Sequence, residues 1–239
     1  MRAPLAALAS VNPVRRALTP RVLPAGLSGA GRTGRVALTF DDGPDPASTP
    51  AFLDLLARHD RHATFFLLGE HVGPNAGLVA EMAAAGHELA VHGWDHRCTA
   101  WKPPGVLADE LRRARDVVEG VSGREVRWYR PPYGVLTTGT IVAARRSGME
   151  TVLWSAWGRD WVAGATGARI AGTVRRQLGA GGTVLLHDTD RTSAPGSWRQ
   201  TLAATEMLLA EWAARDVRLV TVSGQLGSDA CRHDAPHDR

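Results

Sequence analysis

The sequence lacks the residues and runs that mark several protein classes. It has only two cysteines, Cys98 and Cys231, which excludes both a disulfide-rich scaffold and a structural zinc ribbon. No apolar run approaches the roughly 20 residues that a membrane helix needs, so no membrane span is predicted. The content of 44% apolar and 22% charged residues is typical of a globular domain, which excludes disordered and fibrous proteins.

The sequence also lacks an excess of basic over acidic residues once the first 35 residues are set aside. The chain has a net charge of +4 and a pI near 9.8, but residues 1–35 hold six arginines and no acidic residue. Residues 36–239 therefore hold 22 basic and 24 acidic residues, a net charge of −2. Because the folded part has no basic excess, nucleic acid is not an expected partner.

Composition divides the chain into three parts. Residues 1–35 show no sustained periodicity and are predicted to form a poorly structured basic arm. The apolar stretch 4–9 is too short for a signal peptide and no apolar stretch follows Arg15-Arg16, which favours a cytoplasmic location over secretion. Residues 36–223 are predicted to fold as one domain and residues 224–239 to form a polar tail. The oligomeric state stays open at this stage.

From Val36 onward, short β-branched and aromatic runs alternate with amphipathic helical stretches. The predicted strands are 36–40, 63–68, 88–91, 126–129, 151–154, 183–186 and 218–222. The predicted helices cover about residues 50–59, 75–85, 105–120, 138–147, 167–178 and 198–214. Since each helix is a crossover between two strands, the sheet should be parallel. The pattern predicts an α/β fold, a parallel TIM-like (β/α) barrel, with a doubly wound open sheet as the alternative.

Polar clusters follow five of these strands at their carboxyl ends. The clusters are Asp41-Asp42-Gly43-Pro44, His92-Gly93-Trp94-Asp95-His96, Arg130-Pro131-Pro132-Tyr133-Gly134, Gly158-Arg159-Asp160-Trp161 and His187-Asp188. A parallel (β/α) barrel places its active site at this end of the strands. The clustering therefore predicts an enzyme.

Two of these clusters hold a candidate set of metal ligands. His92 and His96 are four residues apart, which on a helical turn places both imidazoles on one side. Two histidines with a carboxylate from Asp41 or Asp42 form a three-ligand set that leaves a position open for water. From the residues alone, helix-capping carboxylates and core histidines remain alternatives, as does a buried neutral role for His187.

The ordered motifs resemble those of a known family. Thr-Phe-Asp-Asp-Gly-Pro, His-x-x-x-His, Arg-Pro-Pro-Tyr, Asp-Trp and Leu-Leu-His are similar to the five motifs of the polysaccharide deacetylase family, also called the NodB-homology or carbohydrate esterase family 4 domain. The resemblance covers about residues 36–222. It implies a distorted seven-stranded (β/α) barrel, consistent with the strand count, and removal of an acetyl group from an N-acetylated glycan or amino sugar.

The resemblance also implies roles for the residues of the first three motifs. Asp42, His92 and His96 would bind a divalent metal, most often Zn²⁺. Asp41 would be the general base acting on the water at the metal. Arg130 would hold the base carboxylate, keeping it ionised and oriented.

The remaining implied roles concern the oxyanion, the leaving group and the acyl pocket. Tyr133 would offer its backbone N–H to the developing oxyanion. His187 would protonate the leaving amine, with Asp160 favouring its imidazolium form. Leu185 and Trp161 would line the pocket for the acyl methyl group.

Two residues depart from the family pattern. Gly93 stands where the family usually has Ser or Thr after the first histidine, and Trp157 stands at the first Asp of the usual Asp-x-x-Asp-Trp. Neither change removes a predicted ligand, base or acid, so they bear on substrate preference and metal affinity.

The leading hypothesis is therefore a metal-dependent N-deacetylase that cleaves a carbon–nitrogen bond in an N-acetylated sugar. One alternative is hydrolysis of a small non-sugar amide on the same barrel. Another is a catalytically reduced, carbohydrate-binding barrel, which Gly93 and Trp157 motivate and Asp41 and His187 oppose. Trp94, Trp101, Trp157 and Trp161 fall in or near the rim loops, where they could stack on sugar rings or pack in the core.

Overall fold

The computed structural model describes residues 25–226, in which parallel strands alternate with helices as predicted. The strands are β1 (Arg35–Asp41), β2 (Thr64–Leu67), β3 (Glu88–Val91), β4 (Trp128–Tyr129), β5 (Glu150–Thr151), β6 (Ala156–Trp157), β7 (Gly182–His187) and β8 (Arg218–Val220). The helices are α1 (Ala25–Ser28), α2 (Thr49–Arg58), α3 (Gly69–Val72), α4 (Ala76–Ala84), α5 (Pro104–Ser122), α6 (Thr138–Arg146), α7 (Gly167–Leu178), α8 (Ser197–Ala214) and α9 (Val222–Leu226). Short 3₁₀ turns lie at Gly73–Asn75, Thr99–Trp101 and Pro132–Gly134. Among these described residues, no helix combines the length and apolar character needed to cross a bilayer.

The strands form one curled parallel sheet in the order β5-β4-β3-β2-β1-β7-β6. The eighth strand, β8, pairs with residues 35–37 of β1, whereas β2 pairs with residues 39–41. Because β7 also pairs with residues 36–41 of β1, this strand has three neighbours, and the sheet departs from the regular barrel in which each strand has two. The predicted distorted (β/α) barrel is confirmed, and the doubly wound open sheet is not the observed fold.

The alternation along β1 sets which residues reach the interior of the barrel. Successive strand residues point to opposite faces. Phe40 points to the helices, where its ring stacks on Phe65 at 5.2 Å and meets the edge of Phe52 at 5.0 Å. Thr39 and Asp41 have the opposite parity and reach the interior, where both bond to one guanidinium group. The strand therefore carries a core residue and a candidate catalytic residue side by side.

Part of the predicted arm is folded against the barrel. Residues 1–24 lie outside the described range, but residues 25–34 are described and begin with α1. Gly26 O accepts a hydrogen bond from the Leu153 N–H at 2.9 Å, and Gly29 O accepts one from the Thr183 N–H at 2.9 Å. For residues 25–34 the expectation of a poorly structured arm is therefore wrong, because these carbonyls satisfy backbone donors of the barrel.

Two short elements differ from the sequence prediction. Strand β6 was not predicted, since two residues are too few to show a periodic pattern. At the other end of the domain, the predicted last strand stops at Val220, and α9 begins at Val222. The Val222 N–H donates to Thr64 Oγ1 at 2.9 Å, and the Ser223 N–H donates to the Glu88 carboxylate. These side chains accept hydrogen bonds from backbone N–H groups that would pair with a neighbouring strand if the last strand continued. The predicted polar tail begins within α9, and residues 227–239 lie outside the described range.

Candidate active site

The carboxyl ends of neighbouring strands bring the predicted rim residues together. Asp41 lies opposite His187 in the register of β1 and β7. His92 directly follows β3, and its backbone N–H donates to Leu67 O at 2.7 Å. Arg130 directly follows β4, and its backbone N–H donates to Val91 O at 2.9 Å. Residues far apart in sequence therefore share one end of the barrel, as the strand pattern predicted.

Asp42, His92 and His96 form a compact group of ligand atoms. Asp42 Oδ1 lies 3.3 Å from His92 Nε2 and 3.4 Å from His96 Nε2, and all three atoms lie within 4.8 Å of one another. Asp42 Oδ1 is buried and has no hydrogen-bond partner within the described residues. An ionised buried oxygen without a donor is costly unless a cation satisfies it. The group therefore fits a divalent cation.

The protonation states of the group also suit metal binding. His92 Nδ1 lies 2.8 Å from the carbonyl oxygen of Arg130. Since a carbonyl only accepts, Nδ1 carries the proton and the lone pair of Nε2 faces the centre. Burial lowers the pKa of His96, which favours its neutral, ligating form. Burial by itself would raise the pKa of Asp42, but the nearby histidines and a hydrogen bond from Thr192 lower it to about 2, so the carboxylate is ionised.

The main chain at Asp42 has an unusual conformation. Asp42 has φ = 78°, a left-handed value that costs a non-glycine residue free energy, and it precedes a cis Gly43–Pro44 bond. The Asp42 carbonyl accepts a hydrogen bond from Arg191 at 2.8 Å, and Asp42 Oδ2 accepts one from the Thr192 hydroxyl. Neither Arg191 nor Thr192 was predicted as a site residue. Their only sequence signal is a position shortly after His187.

The candidate base is fixed by a buried arginine. Arg130 is fully buried, and its NH1 group donates to Asp41 Oδ1 at 2.6 Å and to Thr39 Oγ1 at 2.8 Å. Thr39 Oγ1 in turn donates to Val184 O at 2.7 Å. The guanidinium lies 3.9 Å above the ring of Phe66, which shields it from water. Asp41 Oδ2, 3.8 Å from His92 Nε2, is the carboxylate oxygen nearer the candidate ligands.

The candidate acid, His187, is paired with the carboxylate of Asp160. His187 Nδ1 lies 3.0 Å from Asp160 Oδ1, and Asp160 Oδ2 accepts the backbone N–H of His187 at 2.7 Å and the Thr201 hydroxyl at 3.0 Å. Burial alone would lower the pKa of His187, but the charge and hydrogen bond of Asp160 outweigh it and raise the pKa to about 10. The imidazole is thus charged at neutral pH, with Nε2 on the side away from Asp160.

The remaining predicted residues lie around these groups. Tyr133 has φ = 61°, and its ring meets the edge of His96 at 4.5 Å between centroids. Trp161 meets the edge of His187 at 5.6 Å. Leu185 is buried in a small cluster with Trp154, against which Trp157 packs. All ten predicted residues therefore lie in or beside one site, and their roles remain predictions.

The structure shows the surroundings of the two residues that depart from the family pattern. Gly93 has φ = 108°, and a Cβ there would lie 3.1 Å from Asp95 O, so a side chain would be strained at this position. Trp157 lies between Trp154 and Trp161, with ring centroids 6.0 and 5.0 Å away. The row of three indoles thus continues the wall beside His187.

Two other tryptophans have different environments. Trp94 packs inward, where the Arg113 guanidinium lies 3.6 Å from the centre of its ring. Trp101, in contrast, is 87% exposed. Of the four rim tryptophans, Trp94 is therefore a packing residue.

Comparison with known proteins shows which family and which proteins the chain resembles. The profile described as polysaccharide deacetylase matches residues 28–152. A peptidoglycan-N-acetylglucosamine deacetylase from Bacillus cereus is 36% identical over 193 residues, which cover 79% of this chain and 86% of that protein. A chitooligosaccharide deacetylase from Bradyrhizobium is 36% identical over 65% of this chain and 71% of its own length. The chain spans only 34% of a similar Listeria monocytogenes deacetylase, which is also 36% identical.

Solved structures have the same fold. The Bc1960 peptidoglycan N-acetylglucosamine deacetylase aligns with a TM-score of 0.75 and 28% identity over 84% of this chain and 91% of that one. A carbohydrate esterase family 4 pseudoenzyme from Bacillus anthracis aligns with a TM-score of 0.74 at 23% identity, over 82% of this chain and 66% of that one. The second likeness concerns the fold alone.

Proposed function

This chain belongs to the polysaccharide deacetylase family, and on that premise we propose that it is a metal-dependent N-deacetylase of N-acetylated amino sugars or polysaccharides. The observation that carries the proposal is the buried, unpartnered Oδ1 of Asp42, which faces two imidazole nitrogens at 3.3 and 3.4 Å. A base and an acid candidate lie beside this group. The names of the relatives, which are deacetylases of peptidoglycan and chitooligosaccharides, support the substrate class.

Zn²⁺ is the cation that this ligand set favours. Two imidazoles and one carboxylate form a common three-ligand set for catalytic zinc, with a further position open. Asp42, His92 and His96 would hold the ion through Oδ1 and the two Nε2 atoms. When bound, the cation supplies Lewis acidity, which polarises the acetamide carbonyl and makes water a stronger nucleophile at neutral pH.

Asp41 accepts the proton of the attacking water in this proposal. Its Oδ1 is occupied by Arg130, which leaves Oδ2 as the proton acceptor. Because Arg130 cannot release its own proton at any ordinary pH, it holds the carboxylate in place without competing for the proton. The Tyr133 backbone N–H would stabilise the negative charge that develops on the carbonyl oxygen.

His187 donates the second proton. An amine is a poor leaving group until its nitrogen is protonated, so a charged imidazole is needed on that side of the substrate. Asp160 keeps His187 charged, and Nε2 is the atom that donates. Trp161 and Leu185 would enclose the acetyl methyl group next to it.

The test is release of acetate from N-acetylglucosamine, chitin oligomers and peptidoglycan fragments by the purified protein. We expect release from at least one of these glycans, its loss after treatment with a chelator and its return on addition of Zn²⁺. Release that survives complete removal of metal would contradict the metal mechanism. Hydrolysis confined to a small non-sugar amide would favour the first alternative, and glycan binding without hydrolysis would favour the reduced barrel.

A further inference from the structure

The loop after β7 reaches across the barrel end to the loop after β1. Its residues 189–192, called here the 189–192 clamp, hold the turn that contains Asp42. We infer that Thr192 is a positioning residue that fixes Asp42 as a single-oxygen metal ligand, with Arg191 fixing its main chain. This inference rests on the proposed metal site.

The two oxygens of the Asp42 carboxylate have separate partners. Oδ2 accepts a hydrogen bond from the Thr192 hydroxyl, whereas Oδ1 faces the Nε2 atoms of His92 and His96. With Oδ2 occupied by a donor, the carboxylate is not free to rotate about its Cβ–Cγ bond. Thr192 therefore selects which oxygen the cation meets.

Other side chains of the 189–192 clamp hold the same turn through its carbonyl oxygens and through Asp45. Arg191 donates to Asp42 O at 2.8 Å and to Pro44 O at 3.2 Å. Arg191 and Thr189 also bond to Asp45 Oδ2, at 3.3 and 2.8 Å. These contacts oppose relaxation of the left-handed Asp42 backbone, whose φ of 78° would otherwise favour a different conformation.

Outer partners of metal ligands tune affinity by orienting the ligand before the ion arrives. Loss of such a partner typically weakens metal binding by about 10- to 100-fold. Thr192 is exposed, whereas Asp42 is fully buried, so replacing Thr192 should not disturb the core. The main effect should therefore be on metal affinity, and the variant should still fold.

The test measures the dissociation constant of Zn²⁺ by competition with a chelator of known affinity. The variants are Thr192→Val, which removes the hydroxyl and keeps the shape, and Thr192→Ser, which keeps the hydroxyl. Ser193→Ala is the matched control, because it removes a neighbouring hydroxyl that has no hydrogen-bond partner among the described residues. We expect Thr192→Val to weaken binding about 10- to 100-fold and the other two variants to stay within about twofold of the unmodified protein.

A second readout separates ligand geometry from a general loss of structure. Co²⁺ bound in place of Zn²⁺ reports ligand arrangement through its visible absorption, and we expect Thr192→Val to change that spectrum. The metal-free variant should stay folded, with at most a small fall in its melting temperature because the buried Asp42 Oδ2 loses a donor. An unchanged Zn²⁺ affinity and an unchanged Co²⁺ spectrum in Thr192→Val would overturn the inference.

One further variant keeps that failure distinct from failure of the proposed function. Asp42→Ala should abolish Zn²⁺ binding. If it does so while Thr192→Val changes nothing, the metal site stands and only the inference is wrong. If the unmodified protein binds no divalent cation, the proposed function is wrong and the inference falls with it.

Discussion

The two sides of the candidate site each contain a buried ion pair. The group proposed to transfer a proton is the anion in one pair and the cation in the other. On the base side, Arg130 lies 2.6 Å from Asp41, and the carboxylate is the proposed proton acceptor. On the acid side, His187 lies 3.0 Å from Asp160, and the imidazolium is the proposed proton donor. Arginine keeps its charge, so the first pair has a fixed cation. Histidine can lose its proton, so the charge of the second pair can change.

This contrast predicts the largest effect for Asp41→Asn. The change removes the proposed base, so kcat should fall at least about 10²-fold, the usual contribution of a general base. It also leaves the charge of Arg130 buried without a counter-ion, which should lower the free energy of unfolding by about 3 kcal/mol. Steady-state kinetics on the folded fraction and chemical denaturation measure the two effects.

Two further variants serve as a control and as a comparison for that prediction. Asp54→Asn changes an exposed carboxylate on α2 and should leave kcat and stability near those of the unmodified protein. Asp160→Asn should destabilise the fold less than Asp41→Asn, because His187 can release its proton and Arg130 cannot. Equal loss of stability in the two ion-pair variants would contradict the proposed difference between the sides.

A smaller effect is expected from Thr39, which anchors Arg130 from behind. Thr39→Val removes the hydroxyl that bonds to both Arg130 and Val184 O, leaving buried groups unpaired. We expect a loss of about 1–2 kcal/mol in the free energy of unfolding. We also expect a fall in kcat of less than about tenfold with KM unchanged, since Asp41 is less well fixed but still present.

Thr183→Val on the adjacent strand is the matched control for Thr39→Val. Thr183 is fully buried, and its hydroxyl has no hydrogen-bond partner within the described residues. Replacing it should therefore be neutral or slightly stabilising. If both threonine variants behave alike, Thr39 has no special link to the base.

The sequence predicted the parts of this molecule that follow from local pattern. The run Val36–Phe40 and the acids after it placed Asp41 at the end of a buried strand, and the same reasoning placed His187. The clamp contacts could not be predicted, because Thr192 meets Asp42 across 150 positions and a threonine among Ser193, Ala194 and Pro195 looks like an ordinary loop residue.

The backbone conformations were also beyond the sequence pattern. Gly93 was noted as a departure from the family, but its φ of 108° is a property of the folded loop. Similarly, the segment that contains α1 is held by the backbone N–H groups of Leu153 and Thr183, which donate to Gly26 O and Gly29 O and which only the assembled barrel supplies. Short elements made by long-range contacts leave little signal in local composition.

The acid side offers the most direct test of the central claim, which is that the anion of one ion pair and the cation of the other transfer the protons. Nitrogen-15 NMR of the histidine rings measures the pKa of His187 in the unmodified protein and in Asp160→Asn, with His187→Ala assigning the signal. The pKa of His187 should be near 10 in the unmodified protein and much lower in the variant, because Asp160 raises it against the effect of burial. Since only charged His187 can donate a proton, the alkaline limb of activity should shift to lower pH in that variant. A His187 that is neutral at pH 8 in the unmodified protein, or a pKa that does not change in Asp160→Asn, would contradict the account.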